Sequence, residues 1–400
     1  MLRILMSPVI QTLADLVRIN SVNPSYEGGP GEREIATYVR RFFEQRGIET
    51  WEQEVFPGRP NVLARLPGKN ADRRLVLEAH TDTVSVKGMT IPPFEPVIRD
   101  GRMYGRGACD TKAGLAAMMH SLASLKEQNL TPPCDVLLAA VVDEEFSYRG
   151  VVRLCEDLKA DAAIVAEPTE LRAVIATKGV LRCRIVVHGK AAHSAKPHLG
   201  VNAITGMARV IAAIETDGTR LAERRHPLAG HGTCNIGVIS GGVQVNFVPD
   251  RCAIEIDRRL LPGERAEDAL RHYNELLASL PDVTAEIEEP LLLVDEGLDT
   301  PADAAVVQTA AQVLAELGLD PAPAGVPFGC DASKLSRAGV PAIVFGPGSI
   351  DRAHTADEYV ELDQVERACE FHRRFILAFT YTTPPHRIPF LINRPLFFPI

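Results

Sequence analysis

Apolar positions in this chain change texture twice, and the changes mark out its parts. Near the start, Ser7-Pro8 reads as an N-cap followed by proline at the first helical position. Val9, Leu13, Leu16 and Val17 then form a helical stripe. A second helix is predicted across 32–45, ended near Gly47. Strands are predicted at 61–66 and 75–79, and Asp110 opens a predicted helix over 111–126. The runs 136–142 and 162–166 are continuously apolar, as in strands covered on both faces. Strands alternating with helices predict an α/β sheet with helices on both sides.

The texture shifts near Lys178. Leu181, Cys183, Ile185 and Val187 alternate with other residues, the pattern of a half-solvated strand. A helix over 202–214 follows, then two alternating strands around Gly241-Gly242 that end near Leu260. A helix over 265–280 and a strand over 286–293 complete a β-α-β-β-α-β order, the ferredoxin-like arrangement. The first texture then returns with a helix at 303–317, an apolar strand at 342–345 and a last helix at 362–378. The division expected is therefore a discontinuous domain of 1–177 and 294–383 with 178–293 inserted. The end, 384–400, is Pro-rich and apolar.

Composition narrows the function classes. Four hundred residues exceed most single cores, which favours two domains. The formal net charge is −9 and no long basic run occurs, so nucleic acid is not an expected partner. No segment has the length of a transmembrane helix, and residues 1–10 lack a signal-type apolar stretch, so no membrane partner is expected. Eight cysteines stand singly, with no C-x-x-C pair. Reduced, mostly buried thiols in a cytoplasmic protein are the expectation.

Candidate chemistry gathers at predicted strand ends. His80 and Asp82 lie two apart after an apolar run, so both can approach one point. Asp110 follows the glycine-rich turn Gly105-Arg-Gly-Ala-Cys; its ordinary job would be a helix N-cap. Asp143-Glu144-Glu145 ends one strand, and Glu167, followed by Pro168, ends another. His354 follows Gly346-Pro-Gly past a third. In open α/β sheets, sites lie beyond the carboxyl ends of strands. Several acids on one such edge need a cation. Two imidazoles with three carboxylates, one of them shared, are suitable donors for two ions such as Zn²⁺.

Taken together, His80-Thr-Asp82, Gly105-Arg-Gly-Ala-Cys-Asp110-Thr-Lys, Asp143-Glu144-Glu145, Ala166-Glu167-Pro168 and Gly346-Pro-Gly…Ala-His354-Thr resemble one family. It is the di-zinc amidohydrolase and exopeptidase family of acetylornithine deacetylase, succinyl-diaminopimelate desuccinylase, aminoacylase-1 and the bacterial glutamate carboxypeptidase. The resemblance runs from about residue 10 to 380. It implies a mixed-sheet, zinc-exopeptidase-like catalytic domain, α/β in class, with an inserted ferredoxin-like α+β dimerisation or lid domain. It implies that His80 and Glu167 bind one zinc, that Glu145 and His354 bind the other, and that Asp110 bridges them. Asp82 then orients His80, and Glu144 is general base and proton shuttle. His193, in Gly189-Lys-Ala-Ala-His193-Ser, would stabilise the oxyanion in the opposite subunit of a homodimer. Asn246, Arg258 and Gly329 resemble substrate-binding positions. Cys330 departs from the family, standing where many relatives carry threonine.

The activity implied is hydrolysis of the amide of an N-acyl-amino acid by a metal-bridging water, in amino-acid metabolism. The alternatives are a di-/tripeptidase or carboxypeptidase of the same family and, outside the class, a non-catalytic binding relative. A dead relative should lack a ligand or the base, and all six residues are present. Two divalent ions are the implied cofactors, zinc first, with cobalt or manganese compatible with the same donors.

Overall fold

The computed structural model describes residues 6–380, so the Pro-rich end 384–400 lies outside the described residues. The chain forms two compact units. Within the described residues, the first comprises 6–175, 300–324 and 330–380, and the second 176–299 and 325–329. The stretch 325–329, which the sequence pattern placed with the large domain, clusters with the second unit.

The fold is mixed α/β. An eight-stranded sheet runs in the order Glu49–Phe56, Arg59–Leu66, Cys134–Val141, Asn70–His80, Ala162–Val165, Ala342–Val344, Val174–Thr177 and Ala324–Val326. Its middle is parallel: Asn70–His80 pairs in parallel with Cys134–Val141 and Ala162–Val165, which pairs in parallel with Ala342–Val344. These are the continuously apolar runs, and every residue of Cys134–Val141 is buried. Burial on both faces is the reason their sequences do not alternate. The helices Pro8–Arg18, Lys112–Glu127 and Leu362–Ala378 pack together, and Phe345 stacks on Phe371 at 3.8 Å.

The parallel register matters most for function. His80 is level with Val141, and Glu78 with Val165. The four parallel strands therefore end together, and the segments leaving them start from one edge.

The second unit has the β-α-β-β-α-β order, with strands Gly179–His188, Thr233–Gly241, Arg251–Leu260 and Thr284–Asp295 and helices Ala203–Glu223 and Ala266–Ala278. Its antiparallel sheet has the order Thr233–Gly241, Arg251–Leu260, Gly179–His188, Thr284–Asp295. Cys183, Ile185, Val187, Ile254 and Ile256 face Met207, Val210, Ile214, Tyr273 and Leu277 of the helices. The other face carries cross-strand ion pairs, among them Arg184 with Glu255 at 2.7 Å and with Glu288 at 2.8 Å. Asn202 caps the first helix, accepting the Thr205 N–H at 3.0 Å.

Candidate metal centre

His80 is the last residue of its strand and is buried. Its Nδ1 lies 3.0 Å from the Asp82 carbonyl oxygen and 3.6 Å from the Asp82 carboxylate. The sequence reading gave the carboxylate the task of aiming this ring, but the main-chain oxygen is the nearer partner. The carboxylate instead accepts the backbone N–H of Glu144 and of Glu145, each at 3.1 Å. Asp82 thus ties the strand end that bears His80 to the turn that bears both glutamates.

Asp110 stands just outside the helix Lys112–Glu127, whose N-cap is Thr111. Its carboxylate does not cap the helix. One oxygen is 3.0 Å from His80 Nε2, and the other is 3.4 Å from His354 Nε2. The turn before it is fixed from behind by Glu358, which is buried. Glu358 accepts the N–H of Cys109 at 2.9 Å and of Asp110 at 3.1 Å, and it pairs with Arg106 at 2.5 Å. Gly107 has φ +79°, and a Cβ there would sit 2.9 Å from Lys112 and Thr83 side-chain atoms, so the turn needs glycine. Glu358 was not among the candidate residues of the sequence. Its position in Ala-His354-Thr-Ala-Asp-Glu358 gave no sign that it reaches back some 250 residues to this turn.

Glu144, Glu145 and Glu167 come from the neighbouring strand ends. His354 Nε2 lies 3.2 Å from Glu145, and His80 Nε2 lies 4.0 Å from Glu167. Two sets of donor atoms fall within 4.8 Å of one another: His80, Glu144 and Glu167, and His80, Asp110 and Glu145. The two adjacent glutamates therefore enter different sets.

The electrostatics follow from burial. Desolvation pushes the Glu144 carboxyl well above its ordinary value; His80 opposes this, and Asp331, Glu145 and Asp110 add to it. Glu167 is raised by burial and then by Asp110 and Glu144. Burial also works against charge on Asp110, yet hydrogen bonds to His354 and His80 hold it below the ordinary range. The bonds to Asp110 and Glu145 raise His354 to about 10. The favourable partners these acids find inside the cluster are two imidazoles. Such a donor set, hard carboxylates with imidazole nitrogens, fits divalent cations of the zinc kind.

The remaining predicted residues lie in the second unit. His193 is exposed on the short strand Ala192–His193, paired with Phe247. Its Nδ1 accepts the Ala195 N–H at 3.1 Å, so the proton of a neutral ring sits on Nε2. Asn246 is adjacent, its carbonyl accepting the Ser194 N–H at 3.0 Å. Arg258 is at the far end of strand Arg251–Leu260 and is buried. Its fork is occupied by Glu264, at 2.8 and 3.1 Å, and it also donates to the Arg259 carbonyl. Gly329 lies beside the Lys178 carbonyl and Asp295.

A mixed sheet whose parallel strands end in converging imidazoles and carboxylates is suited to hold divalent cations. Residues 76–378 match the model of peptidase family M20/M25/M40, and the chain belongs to that family. It is similar to the acetylornithine deacetylase of Myxococcus xanthus, 34% identical over 343 residues, 83% of this chain and 84% of that one. In structure it resembles an aminopeptidase of Bacillus cereus, with a TM-score of 0.76 at 24% identity, covering 93% of this chain and 98% of the other. A tripeptidase of Staphylococcus aureus gives a TM-score of 0.76 at 25% identity over 92% and 97% of the two chains. Among the described residues no helix is long and apolar enough to cross a membrane.

Proposed function

We propose that the chain is a two-metal amidohydrolase that cleaves the amide of an N-acyl-amino acid. The observation that carries this is Asp110, whose two oxygens each face a different imidazole, the buried His80 and the more exposed His354. That placement supports a bridging role for its carboxylate. His80 and Glu167 would hold one cation, and Glu145 and His354 the other, with zinc the first choice and cobalt or manganese also suited. When bound, the two cations supply the charge that acidifies a water and polarises the scissile carbonyl. Asp82 fixes the ring of His80 and the turn that follows Asp143. Glu144 takes the proton of the attacking water and delivers it to the leaving amine.

His193 acts on the opposite subunit's site, its Nε2–H without a partner among the described residues and so able to donate to the developing oxyanion. Homodimerisation through the second unit is supported by its edge strand Thr233–Gly241, where Val238 and Ile239 are exposed, and by Val243, Val245 and Phe247 just beyond. Asn246 and Gly329 contact the substrate, and Arg258 joins them only by giving up Glu264. The eight free thiols are in keeping with a cytoplasmic setting.

The acetylornithine deacetylase likeness favours an acyl group over a peptide. Metal-loaded protein assayed on N-acetyl, N-succinyl and N-formyl amino acids, with di- and tripeptides alongside, tests this. Turnover of an N-acyl-amino acid above every peptide is expected. Faster cleavage of peptides would make it a peptidase of the same family. Folded, metal-loaded protein inert on the whole panel would end the hydrolytic reading of the site.

A further inference from the structure

Asn23, in Ser21-Val22-Asn23-Pro24, is buried against the metal centre without belonging to its donors. Its backbone N–H donates to the Thr83 carbonyl at 2.9 Å, which pins it just beyond the strand that carries His80. Its side-chain oxygen accepts the Ser25 N–H at 3.0 Å and the Ser25 hydroxyl at 2.8 Å. With that oxygen engaged, the NH₂ group faces two acids. It donates to Asp82 at 2.8 Å and to Asp143 at 3.0 Å.

Those two carboxylates shape one turn. Asp82 receives the N–H of Glu144 and Glu145, each at 3.1 Å. Asp143 has φ +70°, sparsely populated for a residue with a side chain. Its carboxylate accepts the Ser147 hydroxyl, and Arg59 reaches it at 3.2 Å. Its carbonyl accepts the N–H of Tyr148 at 2.7 Å. So the turn is gripped through Asp82 at Glu144 and Glu145 and through Asp143 at its root. Two neighbouring carboxylates repel, and one primary amide has a proton for each.

We infer that Asn23 is a positioning residue for the turn bearing Glu144 and Glu145. Its shared amide holds Asp82 and Asp143 in place together, and this keeps the two glutamates facing different donor sets. The inference rests on the proposed division of roles, Glu144 as base and Glu145 as ligand.

Amide exchange on Asn23→Ala and on Asn23→Ser, resolved to single residues, tests it together with metal content and steady-state kinetics. In Asn23→Ala the Glu144 and Glu145 amides should exchange at least about tenfold faster, while those of Cys134–Val141 stay at the parent rate. The metal-loaded variant should lose about 10–100-fold in kcat, the usual scale for removing an outer partner of a metal site. KM should move by less than about threefold. Asn23→Ser, with one hydroxyl proton to share, should fall between, and it carries the same test if Asn23→Ala does not fold. Parent-like exchange at Glu144 and Glu145, or equal acceleration of every amide in the first unit, would overturn the role. Glu144→Gln run in parallel separates the two ideas. If it keeps full turnover, the base assignment fails; if it is inactive while Asn23→Ala matches the parent, the positioning role alone fails.

Discussion

On the open face of the antiparallel sheet in the second unit, Glu288 lies 2.8 Å from Arg184 and 2.9 Å from Arg251. Hydrogen bonds to these arginines, Arg184 first, hold its carboxyl below the ordinary range. At the strand ends of the first unit, Glu144 and Glu167 are raised by burial and by other acids, with His80 as their favourable partner. The residue type is the same and the consequence is opposite. Alternating strands leave one face to water, where acids such as Glu255 and Glu288 find an arginine across the sheet. Doubly covered parallel strands offer only their ends, and polar groups crowd there. A carboxylate becomes chemically useful when the fold withholds both solvent and a guanidinium. Surface pairs of the first kind contribute little and are screened by salt.

The comparison can be broken at several points. Exhaustive chelation should abolish turnover, and added Zn²⁺ or Co²⁺ should restore it; full activity in metal-free protein, checked by elemental analysis, would remove the reason for the buried acids. Glu144→Gln should retain both metals and lose about 10²–10⁴-fold in kcat, the span of general acid–base catalysis. An emptied metal site in that variant, with Glu145→Gln still loaded, would reverse the two neighbours. His193→Ala should cost about 10²–10³-fold, the scale of one oxyanion donor, without changing metal content. Mixed with Glu144→Gln protein in verified heterodimers it should recover activity, since one site of the pair then has both groups.

Two smaller effects sharpen the contrast between buried and exposed groups. His372 is fully buried, its ring nitrogens find no partner among the described residues, and burial lowers its pKa to about 3. Above pH 6.5 neither folded nor unfolded protein protonates it. Between 6.5 and 3 only the unfolded chain does, so stability falls as pH falls, by at most about 1.4 kcal/mol per pH unit. His372→Leu should flatten the acid limb of a denaturation series across that window; an unchanged slope would mean the ring is protonated in the fold. Arg184→Ala should lower the thermal midpoint by no more than a few degrees, leave turnover untouched, and lose even that effect at high salt.

Much of the fold was present in local pattern. The helix at 362–378, the buried run at 136–142 and the β-α-β-β-α-β order needed only periodicity, because those elements are defined by which faces they bury. The polar edge strand Glu49–Phe56 escaped notice because most of its side chains meet water. His80, Asp110, Glu145, Glu167 and His354 were legible because each follows a glycine turn or an apolar strand. The sequence by itself determined the candidate donors and the strand ends that carry them. Only the tertiary structure decided that Asp110 faces two imidazoles at once and that Glu358 and Asn23 hold the turns behind the site. Those outcomes depend on partners brought together by strand pairing across the sheet and by loop packing, and no local pattern encodes a partner that lies far along the chain.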